Sequence, residues 1–248
     1  MYRRIKIGAD PEFEIRDGYS VLEAPEVVPR SLRAQIGTDY GERALEFRPT
    51  PAVQPRKLAK NMSMLFTKFK KKYSGFKIGV LGDKYSLGGH LHFGMGKRYM
   101  PAEALLYMFD KAIGGLALTK SGSCRRDDGY ECLSAYESNT HGFEYRTPAA
   151  GLFRKPAYLI LAMKILKSIL NFYLKNSKSI DDIYSYHTTF KDNYDSFYND
   201  GNEIPNNIKL NKIVKSINKR ILTNKDLAVL KEFKRYKPNK ENIIQYWV

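Results

Sequence analysis

Gly88-Gly89-His90-Leu91-His92-Phe93-Gly94 decides how this chain is read, because it alternates with a period of two. Successive side chains of a strand point to opposite faces, so His90 and His92 share one face while Leu91 and Phe93 share the other. The apolar pair faces a core. The imidazoles face something else, and the flanking glycines leave room for a ligand or a second backbone to approach. Three further stretches carry a polar dyad split by an aromatic: Glu12-Phe13-Glu14, Glu46-Phe47-Arg48 and Glu144-Tyr145-Arg146. Placed in one sheet, these strands give one hydrophobic face and one face gathering carboxylates, imidazoles and guanidinium groups. That layout suits metal ions and phosphate.

The 248 residues suffice for one large domain or a domain with a helical appendage, and 43% hydrophobic residues supply an ordinary core. No apolar run approaches the roughly 20 residues of a membrane span. Met1-Tyr2-Arg3-Arg4-Ile5-Lys6 lacks the apolar region of a signal peptide, so a cytoplasmic location is expected, the host cytoplasm if the protein is viral. Cys124 and Cys132 lie in a polar loop beside Arg125 and Arg126 without a second pair to complete a zinc set, and are expected to be reduced, unpaired thiols. The formal net charge of +16 is spread along the chain, denser toward the C-terminus. Its tightest run, Lys68, Lys70, Lys71 and Lys72, ends an expected helix, where cations complement the macrodipole and a solvated face is the simplest account. The charge is compatible with anionic substrates, an acidic protein partner or nucleic acid, the last not favoured.

Along the chain, Arg3 to Gly8 is expected as a strand that Asp10-Pro11 breaks or bulges, resuming at Glu12 to Ile15 with both glutamates opposite Phe13 and Ile15. Residues 17 to 36 are expected as a loop with a short hairpin, and residues 44 to 49 as the next strand, stopped by Pro49 and Pro51. Leu58, Met62, Leu65, Phe66 and Phe69 recur at helical spacing between Pro55 and Tyr73. Residues 77 to 81 form a buried strand, and Pro101 starts a helix expected to end near Gly114-Gly115. The polar stretch from Ser121 to His141 is long for a connection and is expected as a lid or substrate loop. After Pro148 the composition changes. A helix is expected from Pro156 to about Lys175, then others near 179 to 198, 206 to 222 and 224 to 235, the last capped by Thr223. The division is therefore a sheet domain over residues 1 to 150 and a helical region over 151 to 248, α+β in class.

Glu12, Glu14, Glu46, Glu144 and His90 make a ligand set for hard divalent ions, and an oxygen-rich set with few imidazoles suits magnesium or manganese over zinc. Arg48, Arg126 and Arg146 add forked donors for phosphate oxygens. Metals beside arginines on a sheet floor suit phosphoryl transfer. The chain has no Walker-type Gly-x-x-x-x-Gly-Lys-Ser/Thr loop, so nucleotide would lie on the sheet.

An early Glu-x-Glu strand, a Gly-x-His-x-His strand and a late Glu-Tyr-Arg strand, in this order, resemble the glutamine synthetase and gamma-glutamylcysteine synthetase superfamily. Gly8-Ala9-Asp10-Pro11-Glu12-Phe13, Glu46-Phe47-Arg48-Pro49, Gly88 to Gly94 and Glu144-Tyr145-Arg146-Thr147-Pro148 resemble more narrowly its phage-type carboxylate-amine ligases, over roughly residues 3 to 150. The resemblance implies an antiparallel, glutamine-synthetase-like sheet with helices packed on one face, and ATP and two or three metal ions on the concave face. It implies that Glu12 and Glu14 divide between two metals, that Glu46 joins one, and that His90 and Glu144 hold the ion nearer the ATP phosphates. His92 would touch phosphate, and Arg146 with Arg125 or Arg126 would stabilise the transferred group. The implied chemistry activates a carboxylate as acyl phosphate for attack by an amine. Asp127-Asp128 depart from the pattern by adding acidity beside the loop arginines.

Two other readings compete with this ATP-dependent amide ligase. One is a phosphotransferase of guanidino-kinase-like architecture, which needs the same metals; the other is a basic nucleic-acid-binding or virion-associated protein, or a nuclease using the same carboxylates. The substrates expected for the ligase are a carboxylate and an amine, drawn from amino acids, peptides or a protein terminus. A symmetric oligomer is compatible with this architecture.

Overall fold

The computed structural model describes residues 5–28, 34–38, 43–84, 86–120, 132–186 and 207–248. Its axis is one long strand, β1 (Lys6–Asp17). β6 (Gly89–Gly94) pairs with β1 along one edge and β4 (Leu45–Phe47) along the other. The C-terminal half of β1 also pairs with β2 (Ser20–Leu22) and β5 (Lys77–Gly79). With β3 (Ile36–Gly37), β7 (Tyr136–Asn139) and β8 (Gly142–Tyr145), the sheet runs β3-β4-β1-β6-β8-β7 and is antiparallel at every pairing. All four dyad strands lie in it.

Asp10-Pro11 does not break β1, contrary to expectation. In a strand, adjacent N–H groups point to opposite edges. The Glu12 amide donates to the Gly88 carbonyl at 2.9 Å, so the position lacking an N–H at Pro11 faces the other edge. There it falls between the isolated Ile7–Ala52 bridge and the β4 ladder that begins at Glu12. The proline thus costs no ladder bond.

Directly paired residues share a face. One face carries Ile7, Phe13, Ile15, Leu45, Phe47, Leu91, Phe93, Phe143 and Tyr145, all buried. After a short helix α1 (Ala24–Val27), helix α2 (Pro55–Lys72) covers it with Leu58, Met62, Leu65, Phe66 and Phe69, as the spacing predicts. Phe66 meets Phe47 and Phe13 edge-on, at centroid distances of 4.9 and 5.6 Å. Helix α3 (Glu103–Phe109) sets Phe109 against Phe93.

That helix does not stop at Gly114-Gly115. It widens into a π turn (Asp110–Gly114) and continues as α4 (Gly115–Leu118). Tertiary packing overrides the poor helix propensity of glycine here: a Cβ on Gly114 would stand 1.7 Å from the Tyr145 hydroxyl. Of the expected loop from Ser121 to His141, residues 121–131 lie outside the described residues. Residues 136–139 form β7, whose Tyr-Glu-Ser-Asn sequence, at the sheet edge, carries no apolar alternation.

Helix α5 (Pro156–Tyr186) passes the expected end near Lys175 through a kink at Asn176. By length and composition alone, this helix is long and apolar enough to cross a membrane. In the fold, Leu159, Ala162, Met163, Leu166, Ile169 and Leu170 are buried in the core. Helix α6 (Ile208–Ile221) follows, then α7 (Asn224–Arg235), capped reciprocally by Thr223 and Asp226 as the sequence predicts for Thr223. One continuous core runs from Ile5 to Trp247 and joins the sheet to the C-terminal helices.

Candidate functional site

The face of the sheet opposite the core carries Asp10, Glu12, Glu14 and Arg16 from β1, Glu46 from β4, His90 and His92 from β6, and Glu144 from β8. The registers Asp10–His90, Glu12–Glu46 and His92–Glu144 bring them side by side. Gly89 contributes space, and the occupant is a second backbone: a Cβ there would lie 2.5 Å from the Ala149 carbonyl oxygen.

Among the described residues, Asp10, His92 and Glu144 form a constellation in which each offers one donor atom within 4.8 Å of the other two. His92 Nε2 stands 2.7 Å from Asp10 Oδ1. His90 Nδ1 is 3.1 Å from Glu144 Oε1 and 3.9 Å from Asp10 Oδ1. Arg146 Nε approaches Glu144 at 3.2 Å, and its Nη1 donates to Glu137 at 2.5 Å. Burial raises the Asp10 carboxyl, but the charges of His92, His90 and Arg48 outweigh it and hold Asp10 below the ordinary value. Burial lowers His92, yet Asp10, Glu144 and Glu46 keep its imidazole above the usual range. Glu144 is pushed up to about 8, first by burial and then by the Asp10 charge. The cluster therefore holds protons that a cation can replace.

The other predicted residues separate into two groups. Glu12 accepts from the Gly88 amide at 2.6 Å, and its neighbour Glu46 accepts from Arg48, whose fork also donates to the Ala34 and Thr38 carbonyls at 3.2 and 3.3 Å. Glu14 lies further along β1, opposite Gly79 of β5, and accepts from Arg16 at 2.5 Å. Arg125 and Arg126 lie outside the described residues.

Three functional candidates escaped the sequence. Asp10 was hidden by its proline, although the one-residue-in-two spacing Asp10, Glu12, Glu14 was available to find it. Arg16 continues that spacing. Asp110 had no local signal: it sits in the π turn, 3% exposed, and accepts from the Tyr145 hydroxyl and from Ser134 Oγ at 2.8 Å. It pins β8 from the core side, so that Glu144 and Arg146 on either side of Tyr145 face the site. Burial, against these donors, raises its carboxyl to about 6.

Compared with known protein families, the chain matches the model of the phage phiEco32-like COOH.NH2 ligases, type 2, over residues 7–243. The match includes the C-terminal helices, where the sequence resemblance stopped near residue 150. No curated protein matches the chain.

Proposed function

Because the chain belongs to the phage phiEco32-like type 2 COOH.NH2 ligases, an enzyme family joining a carboxylate to an amine, we propose that it does so at the expense of ATP, through an acyl phosphate and with divalent ions. The gathering of Asp10, His92 and Glu144 on the open face of the sheet, with Arg146 beside them, carries this reading. Two carboxylates and one imidazole fit magnesium or manganese better than zinc. Asp10, His92 and Glu144 would hold one ion, with His90 abutting both carboxylates; Glu12 and Glu46 offer donors for another. Such ions supply positive charge that neutralises the phosphates and draws electrons from the transferred group.

The remaining work falls to the chain. Arg146, held by Glu144 and Glu137, presents a guanidinium at the edge of the cluster, and Arg48 presents another beside Glu46. They orient the acceptor carboxylate and take up charge developing on the phosphoryl oxygens. A carboxylate oxygen attacks the γ-phosphorus while the bond to ADP breaks. The amine then attacks the acyl carbon, and phosphate departs with the amine's proton. A glutamine-synthetase-like sheet and a cytoplasmic setting belong to the same proposal.

The test uses carboxylate substrates labelled with oxygen-18, supplied with an amine, ATP and magnesium. One labelled oxygen in the released phosphate is the expected result. Amide with unlabelled phosphate, or a stable phosphorylated product without amide, overturns the acyl-phosphate route, the latter in favour of a phosphotransferase. Salt-sensitive binding of DNA without nucleotide binding would favour a nucleic-acid protein.

A further inference from the structure

Glu14 sits in a different environment from the other carboxylates of the face. Its side chain is 0% exposed and that of Arg16 3%. Glu14 Oε2 accepts from Arg16 Nη2 at 2.5 Å, and Oε1 accepts from the Lys84 amide at 2.8 Å. Arg16 Nη2 reaches Asp83 Oδ2 at 3.0 Å and the Leu81 carbonyl at 3.5 Å, and Asp83 in turn pairs with Lys240 at 3.0 Å. Glu14 lies four residue steps along the strand from Asp10, about 13 Å of backbone. An ion at Glu14 would have to displace a buried guanidinium, and charge removed from a buried pair leaves its partner uncompensated.

The bonds converge on one segment. Glu14 and Arg16 hold Lys84, Asp83 and Leu81, while Glu12 holds the Gly88 amide. All four belong to the connection from β5 to β6, which delivers His90 two residues after Gly88.

We propose that Glu14 is a positioning residue and not an ion ligand: with Arg16 it clamps the β5–β6 connection and so sets the place of His90 beside Glu144 and Asp10. The inference rests on the metal-dependent reading above for its consequence, and its test separates the two. Glutamine at position 14 keeps one carbonyl acceptor for the Lys84 amide but turns a donor NH2 toward Arg16, whereas alanine keeps neither bond.

Manganese binding by calorimetry and the imidazole nitrogen spectrum of the four histidines are measured for wild type, Glu14→Gln, Glu14→Ala and, as a ligand control, Glu144→Gln. The expected result is that Glu14→Gln, which keeps the Lys84 bond, loses less manganese affinity than Glu14→Ala and far less than Glu144→Gln. Folded Glu14→Ala should shift the His90 signals and lose about tenfold in affinity, the scale of an outer-shell defect. Loss in Glu14→Gln matching that in Glu144→Gln would make Glu14 a ligand and overturn the proposal. Unchanged affinity and unchanged imidazole signals in Glu14→Ala would reduce it to a fold contact and overturn it too. If Glu14→Ala does not fold, Arg16→Lys, which keeps the charge but loses the fork, is held to the same His90 shift. If wild type binds no manganese, the metal reading falls, and the clamp is judged on the imidazole signals alone.

Discussion

Glu144 concentrates the electrostatics of the site in one side chain. Its raised pKa, about 8 from burial and the Asp10 charge, means the folded protein binds that proton more tightly than the unfolded chain does. Its contribution to metal-free stability is therefore full below the unfolded value near 4.5 and declines as pH rises toward 8. Glu144→Gln never ionises, so without metal its melting temperature at pH 8.5 should exceed that of wild type, by roughly 2–4 °C if about 1 kcal/mol is recovered. Paired thermal melts at pH 5 and pH 8.5 check the sign. In wild type a divalent ion must replace the protons held by Glu144 and His92, so manganese affinity should climb with pH until about 8. Titrations in two buffers of different ionisation enthalpy should report proton release; a pH-independent affinity would count against these ligands.

At the scale of elements, β8 and the π turn form one mechanical unit. Tyr145 points away from the site, but its hydroxyl enters the space left by Gly114 and reaches Asp110. Gly114→Ala should cost about 1–3 kcal/mol as an overpacking change. Tyr145→Phe removes the atom the new methyl would strike, so the double variant should be less destabilised than the sum of the singles; denaturant titration of the four proteins measures this coupling. Strand β1 makes a second case. Phe13 is 0% exposed between Phe47 and Phe66, and Phe13→Ala should cost about 3–5 kcal/mol in the same assay.

The molecule as a whole closes at its C-terminus. Trp247 stacks on Phe66 of α2 at 5.0 Å and donates to the Phe153 carbonyl at 2.9 Å. Arg154 pairs with Glu241 and packs against the rings of Tyr236 and Tyr246. Asn242 Oδ1 accepts from the Ile78 amide of β5 at 3.2 Å. These contacts tie the last residues to the sheet that bears the site, which agrees with a family match reaching residue 243. Trp247→Ala should therefore cost about 3–5 kcal/mol. Loss of aromatic packing, followed by near-ultraviolet circular dichroism, and loss of helix, followed in the far ultraviolet, should coincide, and two separated transitions would show independent halves.

The dyads around Phe13, Leu91, Phe47 and Tyr145 were legible in the sequence because a strand's period of two turns local spacing directly into facing. The helix from Pro55 to Lys72 and the Thr223 cap were legible for the same reason: their signals lie within a few residues of where they act. Asp10, Arg16 and Asp110 acquire their roles only from partners far along the chain. Asp10 matters because β6 and β8 bring His92 and Glu144 beside it, and Pro11 is tolerated because it faces a gap between two pairings. Glu14 looked equivalent to Glu12 by spacing, yet the Lys84 amide and Arg16 enclose it, as only the crossing of the β5–β6 connection could decide. The sequence by itself determined which residues share the polar face. Tertiary structure decided which of them meet, because strand register and buried packing depend on contacts that no local pattern encodes.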